Sequence, residues 1–208
     1  MIKRAAAHSV ADMGATCNGQ GGCRGRKGRR RPLDHKEVIP LNKDDSFEAF
    51  LRETNDLLAH PKVQALGDYQ QHGSVSRLDH SIYVAYMSFR IAVKLGLNAR
   101  EAARGGLLHD LFFYDWHVSG PDCGCHAHCH PLVALENARK YFTLTPREEN
   151  IIESHMFPLG YTLPRYAESF VVTLSDKICA TCEVASLFSP ARILRRFSMR
   201  RRVAMARR

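Results

Sequence analysis

The chain has 208 residues, of which 45% are hydrophobic and 25% charged, with seven cysteines and a formal net charge of +9. This length suits one folded domain with a sizeable core and excludes a disulfide-dependent miniature scaffold, and no uninterrupted apolar run reaches the ~20 residues that a bilayer crossing needs. The charge divides unevenly: residues 1–40 hold a net +6 and residues 191–208 a net +8, which leaves the middle at −5, so nucleic acid is expected as a partner only through the tails.

Residues 1–40 include GATCNGQGGCRGRKGRRRP, rich in Gly and Arg and without apolar periodicity, and are expected to form a disordered basic N-terminal segment. The continuous apolar core of a secretory signal is missing there, so the expected location is the cytoplasm, with reduced thiols. The folded domain is expected over residues 41–190. In it, Asp45-Ser46 precedes Phe47, Phe50, Leu51, Leu57 and Leu58 at helical spacing, which predicts a first helix behind a Ser46 N-cap. His80, Val84, Met87, Ile91 and Leu95 follow in steps of four, three, four and four, so His80 is expected to face inward on a second helix that Gly96 closes. Asn98 and Glu101 form an N-cap pair for the next helix, which runs through ARGGLLHD.

Farther on, HPLVALENARKYF predicts a helix with Pro131 in its first turn. Thr145, Pro146 and Glu148 make a full helix-start signature ahead of an inner face of Ile151, Ile152 and His155. Phe170 to Leu174 alone could be a strand, but the spacing of 169, 172, 176, 179 and 183 predicts a helix over AESFVVTLSDKICATCEVASLF. Residues 191–208, with eight arginines and no acid, are expected to be a basic C-terminal tail. No Gly-rich phosphate loop, strand alternation or internal repeat is present, so the fold class is all-α.

The inward or cap-positioned ionisable residues are His80, His109, Asp110, His130, His155 and Asp176. After His109-Asp110 they lie 20, 25 and 21 residues apart, about one helix plus one loop each time. Each helix therefore offers one group to a shared centre, as bundles do when they build metal sites. Imidazole nitrogen and carboxylate oxygen suit iron, manganese or zinc, and the set is not the all-oxygen one that calcium prefers.

Those residues resemble the HD-domain phosphohydrolases, whose signature is a His, then His-Asp, then a distant Asp in a helical bundle. The resemblance covers roughly residues 45–187 and, through QHGSVSRLDHS, GGLLHDLFFYDWH, HPLVALENA and SHMFPL, is closest to small bacterial stand-alone HD proteins. It also extends to HD-type diadenosine tetraphosphate hydrolases. The cyclic-dinucleotide phosphodiesterases differ, since GYTLP is not their Gly-Tyr-Pro motif and His155 is followed by Met156. The resemblance implies that His80, His109, Asp110 and Asp176 hold one divalent transition-metal ion, that Asp110 bridges, and that His130 and His155 hold a second. Two such ions clamp a phosphoryl oxygen and lower the pKa of a water held in line with the leaving group, which is phosphoester hydrolysis.

Arg77, Arg104 and Lys177 are the candidate phosphate cations, each with the alternative of a solvated surface charge; Lys177, beside Asp176, is the one assigned to catalysis together with Asp110. His72 and His117 are either substrate or proton-transfer groups or ordinary loop residues. DCGCHAHCHP packs Cys123, Cys125, His126, His128, Cys129 and His130 together, but its spacing matches no finger or ribbon, so an adventitious metal loop competes with a dedicated zinc site and with a place at the active-site mouth. Cys179 and Cys182 read as small residues on a helix, because a thioredoxin-like pair needs a βαβ setting. The expected function is hydrolysis of a nucleotide or small phosphate ester. A non-catalytic metal-binding regulatory module and a nucleic-acid-associated protein acting through the basic tails are the alternatives.

Overall fold

The computed structural model describes residues 43–73, 75–118 and 124–185, all within the larger of the two units into which the chain divides, Val38–Arg208. The expected tails, 1–40 and 191–208, lie outside the described residues. Among the described residues seven helices carry the fold: α1 (Lys43–Ala59), α2 (Pro61–Gln64), α3 (Arg77–Leu95), α4 (Ala99–Leu108), α5 (His126–Tyr141), α6 (Pro146–Ser154) and α7 (Ala167–Val184). A 3-10 turn at Ala65–Asp68 leads into an antiparallel pair, β1 (Gln70–His72) and β2 (Val75–Ser76), that delivers the chain to α3. The class is all-α, as expected, with that short pair its one strand feature among the described residues.

Local signals act where they were read. Gly96 closes α3 in the left-handed conformation at φ 66°, which costs Gly no Cβ clash. The Asn98 side chain accepts from the Glu101 backbone N–H. Thr145 and Glu148 form a reciprocal capping box with Pro146 at the first position of α6. Two helix starts differ from expectation. α1 opens at Lys43, so Ser46 is a buried residue inside the helix and not its cap; nothing in Lys43–Asp45 stops an earlier start, and serine is tolerated there at small cost. α5 opens at His126 behind Cys125, five residues before Pro131, which sits inside the helix. There the missing N–H removes one bond of the ladder.

Helix α3 is the axis of the domain, packed against α4 and α7, while α6 joins α4, α5 and α7. Its apolar side is wider than the predicted stripe: His80 and Val84 are fully buried, but so are Ala85 and Ala92, whereas Leu95 at its end is 62% exposed. Phe47 and Phe50 of α1 meet Tyr86 edge-on at centroid distances of 5.4 and 5.3 Å. The Gly105-Gly106 pair lets α4 approach both neighbours, since a Cβ on Gly106 would lie 3.1 Å from the Ala85 Cα and one on Gly105 would lie 2.7 Å from the Ile151 Cγ2. That close approach brings together the ends of α4 and α6, where His109 and His155 are the C-cap residues. No helix among the described residues is long and apolar enough to cross a membrane.

Candidate metal centre

Six of the expected site residues converge. His80 is in the first turns of α3, behind the Ser76 cap, and its Nε2 lies 3.1 Å from Asp176 Oδ1 on α7. His109 Nε2 is 3.6 Å from the same oxygen and 3.5 Å from Asp110 Oδ2. The other oxygen, Asp110 Oδ1, is 3.4 Å from His130 Nε2 and 3.5 Å from His155 Nε2. His80, His109 and Asp110 make one group, and Asp110, His130 and His155 another, in which ligand atoms all lie within 4.8 Å of one another; both groups are buried and could hold a metal ion. The stripe and spacing arguments had put these residues on inner helix faces, and the helix ends place them at one point.

Each imidazole is fixed through its Nδ1. His109 Nδ1 donates to the Gly106 carbonyl at 2.7 Å, His130 Nδ1 to that of His126 at 2.8 Å, and His155 Nδ1 to that of Ile152 at 2.7 Å. A carbonyl only accepts, so the proton sits on Nδ1 and the Nε2 lone pair of a neutral ring points into the centre. His80 Nδ1 meets both oxygens of Glu183 at 3.1 and 3.0 Å. The consequence is plain at His130 and His155, whose Nε2 atoms lie 2.8 Å apart: with both Nδ1 protons committed, two neutral rings would turn lone pairs on each other, a repulsion that a shared proton or a metal ion relieves. His109 Nε2 and Asp110 Oδ1 are buried with no hydrogen-bond partner, a condition that costs about 1–3 kcal/mol per group unless something else satisfies it. The donor set therefore fits a divalent transition ion.

The charges are arranged accordingly. Burial alone would raise Asp110, but the imidazoles of His109, His130 and His155 around its two oxygens hold it well below the usual carboxylate range. Burial opposes ionisation of Asp176 too, and the adjacent His109 and the hydrogen bond with His80 outweigh it. For His80, burial disfavours the imidazolium, yet Asp176 and Glu183 raise it to about 10. His155 goes the other way, pushed down to about 3 by burial and by its neighbours His130 and His109, beside which a further proton is disfavoured.

A cavity of about 240 Å³ opens onto the centre, with Asp110, His130, His155, Asp176 and Lys177 on its polar side and Trp116, Met156 and Leu159 among its other walls. Lys177 Nζ is 3.0 Å from Asp176 Oδ2 and donates to the His155 carbonyl at 3.0 Å, so it is the candidate cation that reaches the cavity. The other two do not. Arg104 is buried between Asp56 at 2.7 Å and Glu148 at 3.2 Å, tying α1, α4 and α6 together, and Arg77 is wholly buried. His72 and His126 line the cavity, whereas His117 stands at the surface paired with Asp115 at 3.0 Å.

Of the Cys/His stretch, Cys123 lies outside the described residues. Cys125 is free and exposed, His126 stacks between Trp116 and His130 at centroid distances of 5.2 and 4.4 Å, and His128 rests on Tyr161. Among the described residues, none of this stretch except His130 belongs to a group that could hold a metal. Cys129 is disulfide-bonded, contrary to the expectation of reduced thiols throughout, while Cys179 and Cys182 are free on α7. Two residues with no assigned role in the sequence reading touch the centre. Glu183 was on the predicted inner face of α7, but Gln71 belongs to no periodic pattern and only the hairpin brings it to Asp110.

A buried His/Asp cluster gathered from the ends of helices, with two overlapping groups that could hold metal, places the chain among α-helical proteins with a candidate metal site. Residues 77–181 match the HD domain, and the chain belongs to the HD-domain family. Over 125 residues it is 34% identical to ribonuclease Y of Thermotoga maritima, covering 58% of this chain and 22% of that protein. With ribonuclease Y of Pseudothermotoga lettingae the identity is 31% over 191 residues, 86% of this chain and 35% of the relative. The putative phosphohydrolase YueE of Bacillus subtilis is 37% identical over 65 residues, 31% of this chain and 34% of YueE. The chain thus spans about a fifth to a third of the length of these relatives. No solved structure matches it.

Proposed function

We propose that the chain is a metal-dependent phosphohydrolase that cleaves a phosphoester or phosphoanhydride bond of a nucleotide or small phosphate ester at a dinuclear centre, acting in the cytoplasm. His80, His109 and Asp176 would hold one ion, His130 and His155 the second, and Asp110 both. Iron, manganese and zinc all suit this donor set. When bound, such a pair supplies Lewis-acid polarisation of a phosphoryl oxygen and activation of water. The observation that carries the reading is the pair of Nε2 lone pairs of His130 and His155 facing each other at 2.8 Å.

The protein's own groups supply the rest. The backbone carbonyls that accept from the Nδ1–H groups keep the rings aimed, so little reorganisation is needed as charge develops. Lys177 presents a cation at the cavity wall beside Asp176, where it can neutralise a phosphoryl oxygen. His72, whose imidazole burial and the nearby His80 push down, and His126, pushed down to about 4 by burial and His130, are neutral near pH 7 and add no competing charge. Trp116, Met156 and Leu159 make the apolar part of the remaining wall.

The test is a turnover screen of metal-loaded full-length protein against mononucleotides, dinucleoside polyphosphates, simple phosphate monoesters and diesters, and short RNA. RNA belongs in the screen because the relatives named ribonuclease Y align across the domain. Turnover of one of these classes that disappears on chelation is the expected result. Absence of turnover with iron, manganese and zinc alike would leave the regulatory metal-binding reading in its place.

A further inference from the structure

Arg77 presents an energetic puzzle. Its side chain is fully buried, yet its hydrogen bonds go to an amide and to carbonyls and not to a carboxylate. Nε donates to Gln71 Oε1 at 2.9 Å, Nη1 to the Phe112 carbonyl at 2.8 Å, and both terminal nitrogens reach the Tyr114 carbonyl at 3.3 and 3.2 Å. The guanidinium lies 3.6 Å above the Phe112 ring centroid. A buried charge without a directly paired opposite charge is costly, and an apolar side chain would fill the space at lower cost if packing were its only role.

The chain of bonds leads to the metal centre. Because a guanidinium can only donate, the Gln71 atom facing it is the carbonyl oxygen, which turns the Gln71 amide nitrogen toward Asp110. That nitrogen is 2.5 Å from Asp110 Oδ2. An aspartate's terminal torsion is broad and intrinsically weakly constrained, and Asp110 has three histidines competing for its oxygens. Gln71 stops the rotation at the setting in which Oδ2 faces His109 and Oδ1 faces His130 and His155.

We infer that Gln71, itself held by Arg77, is the positioning residue that divides the Asp110 carboxylate between the two metal groups. This rests on the dinuclear reading above. The hairpin is then part of the centre: β1 brings in Gln71, and Arg77, the first residue of α3, bonds back through its own N–H to the Tyr69 carbonyl at 2.8 Å. Losing the amide donor affects both ions together, because the residue that turns serves both. Loss of any single histidine affects one.

The experiment titrates chelator-stripped full-length protein with Mn²⁺ by calorimetry, comparing the parent with Gln71→Met, which removes the amide, and Gln71→Asn, which keeps it on a stem too short to reach both partners. Circular dichroism checks the helices, and Gln71→Asn decides if Gln71→Met fails to fold. The expected result is two binding events in the parent, and in the folded variants a weakening of both by about 10–100-fold, the usual consequence of losing an outer partner of a metal ligand. Arg77→Lys, which keeps the charge and loses the fork, should weaken both in the same direction. A folded variant that binds two Mn²⁺ within about twofold of the parent overturns the inference, as does a loss confined to one event. A parent that binds fewer than two ions instead brings down the dinuclear reading and this inference with it.

Discussion

Replacing Gly105 by Ala pushes a methyl group into Ile151 at the crossing of α4 and α6. Its Cβ would lie 2.7, 2.9 and 2.9 Å from three atoms of the Ile151 side chain, all inside contact distance, and Ile151 is fully buried. Overpacking costs about 1–3 kcal/mol, and three contacts under 3 Å, one of them to the Ile151 Cβ, put this case in the upper part of that range, about 2–3 kcal/mol, offset by roughly 1 kcal/mol from the better helix propensity of alanine. The net loss of about 1–2 kcal/mol corresponds to a fall in Tm of roughly 2–8 °C for a domain of this size. Relief by parting the helices also separates His109 from His155, whose ring centroids are 4.8 Å apart, so metal binding should weaken as well. Thermal unfolding of metal-free Gly105→Ala followed by circular dichroism measures the effect. A variant as stable as the parent or more so would refute the close approach as the reason for glycine here.

Three further outcomes concern the centre. Metal-free protein should lose stability as the pH falls from about 6.5 toward about 3, because His155 in the unfolded chain takes up a proton that its buried native ring refuses; His155→Gln should flatten that slope in acid unfolding curves, and an unchanged slope would contradict the assignment. Metal binding at pH 7.5 should release a proton, since Asp176 and Glu183 hold His80 as the imidazolium with a pKa of about 10 and a ligand must be deprotonated; calorimetry in buffers of different ionisation enthalpy reads the release directly, and identical heats in all of them would count against it. Lys177→Met should lower kcat/KM by about 10²-fold with metal content intact, the scale of losing one stabilising donor; steady-state kinetics beside metal analysis would expose a purely structural role.

The fold was legible where a single helix carries its own signal. Thr145 to Glu148, Asn98 and Gly96 act through neighbours three or four residues away, so spacing alone locates them. Ser46 and Pro131 misled because both residues are also tolerated inside a helix, and the choice depends on the residues that precede them. The histidines and aspartates were legible as inward-facing groups, and the family resemblance ordered them. Gln71 and the burial of Arg77 were not, because a hairpin with no alternating pattern places them against a loop nearly 40 residues away. Their function depends on a three-dimensional coincidence of Arg77, Gln71 and Asp110. Arg104 was open to the same misreading, since only packing distinguishes a buried ion-pair hub from a surface arginine.

The most direct test of two ions sharing Asp110 is the metal-to-protein ratio of anaerobically purified parent, His130→Ala, His155→Ala and Asp110→Ala, measured by elemental analysis. About two ions are expected in the parent, about one in each histidine variant with little hydrolysis left, and fewer in Asp110→Ala, because a shared carboxylate serves both ions and offsets their repulsion. A ratio in both His130→Ala and His155→Ala unaltered from the parent would contradict the dinuclear centre.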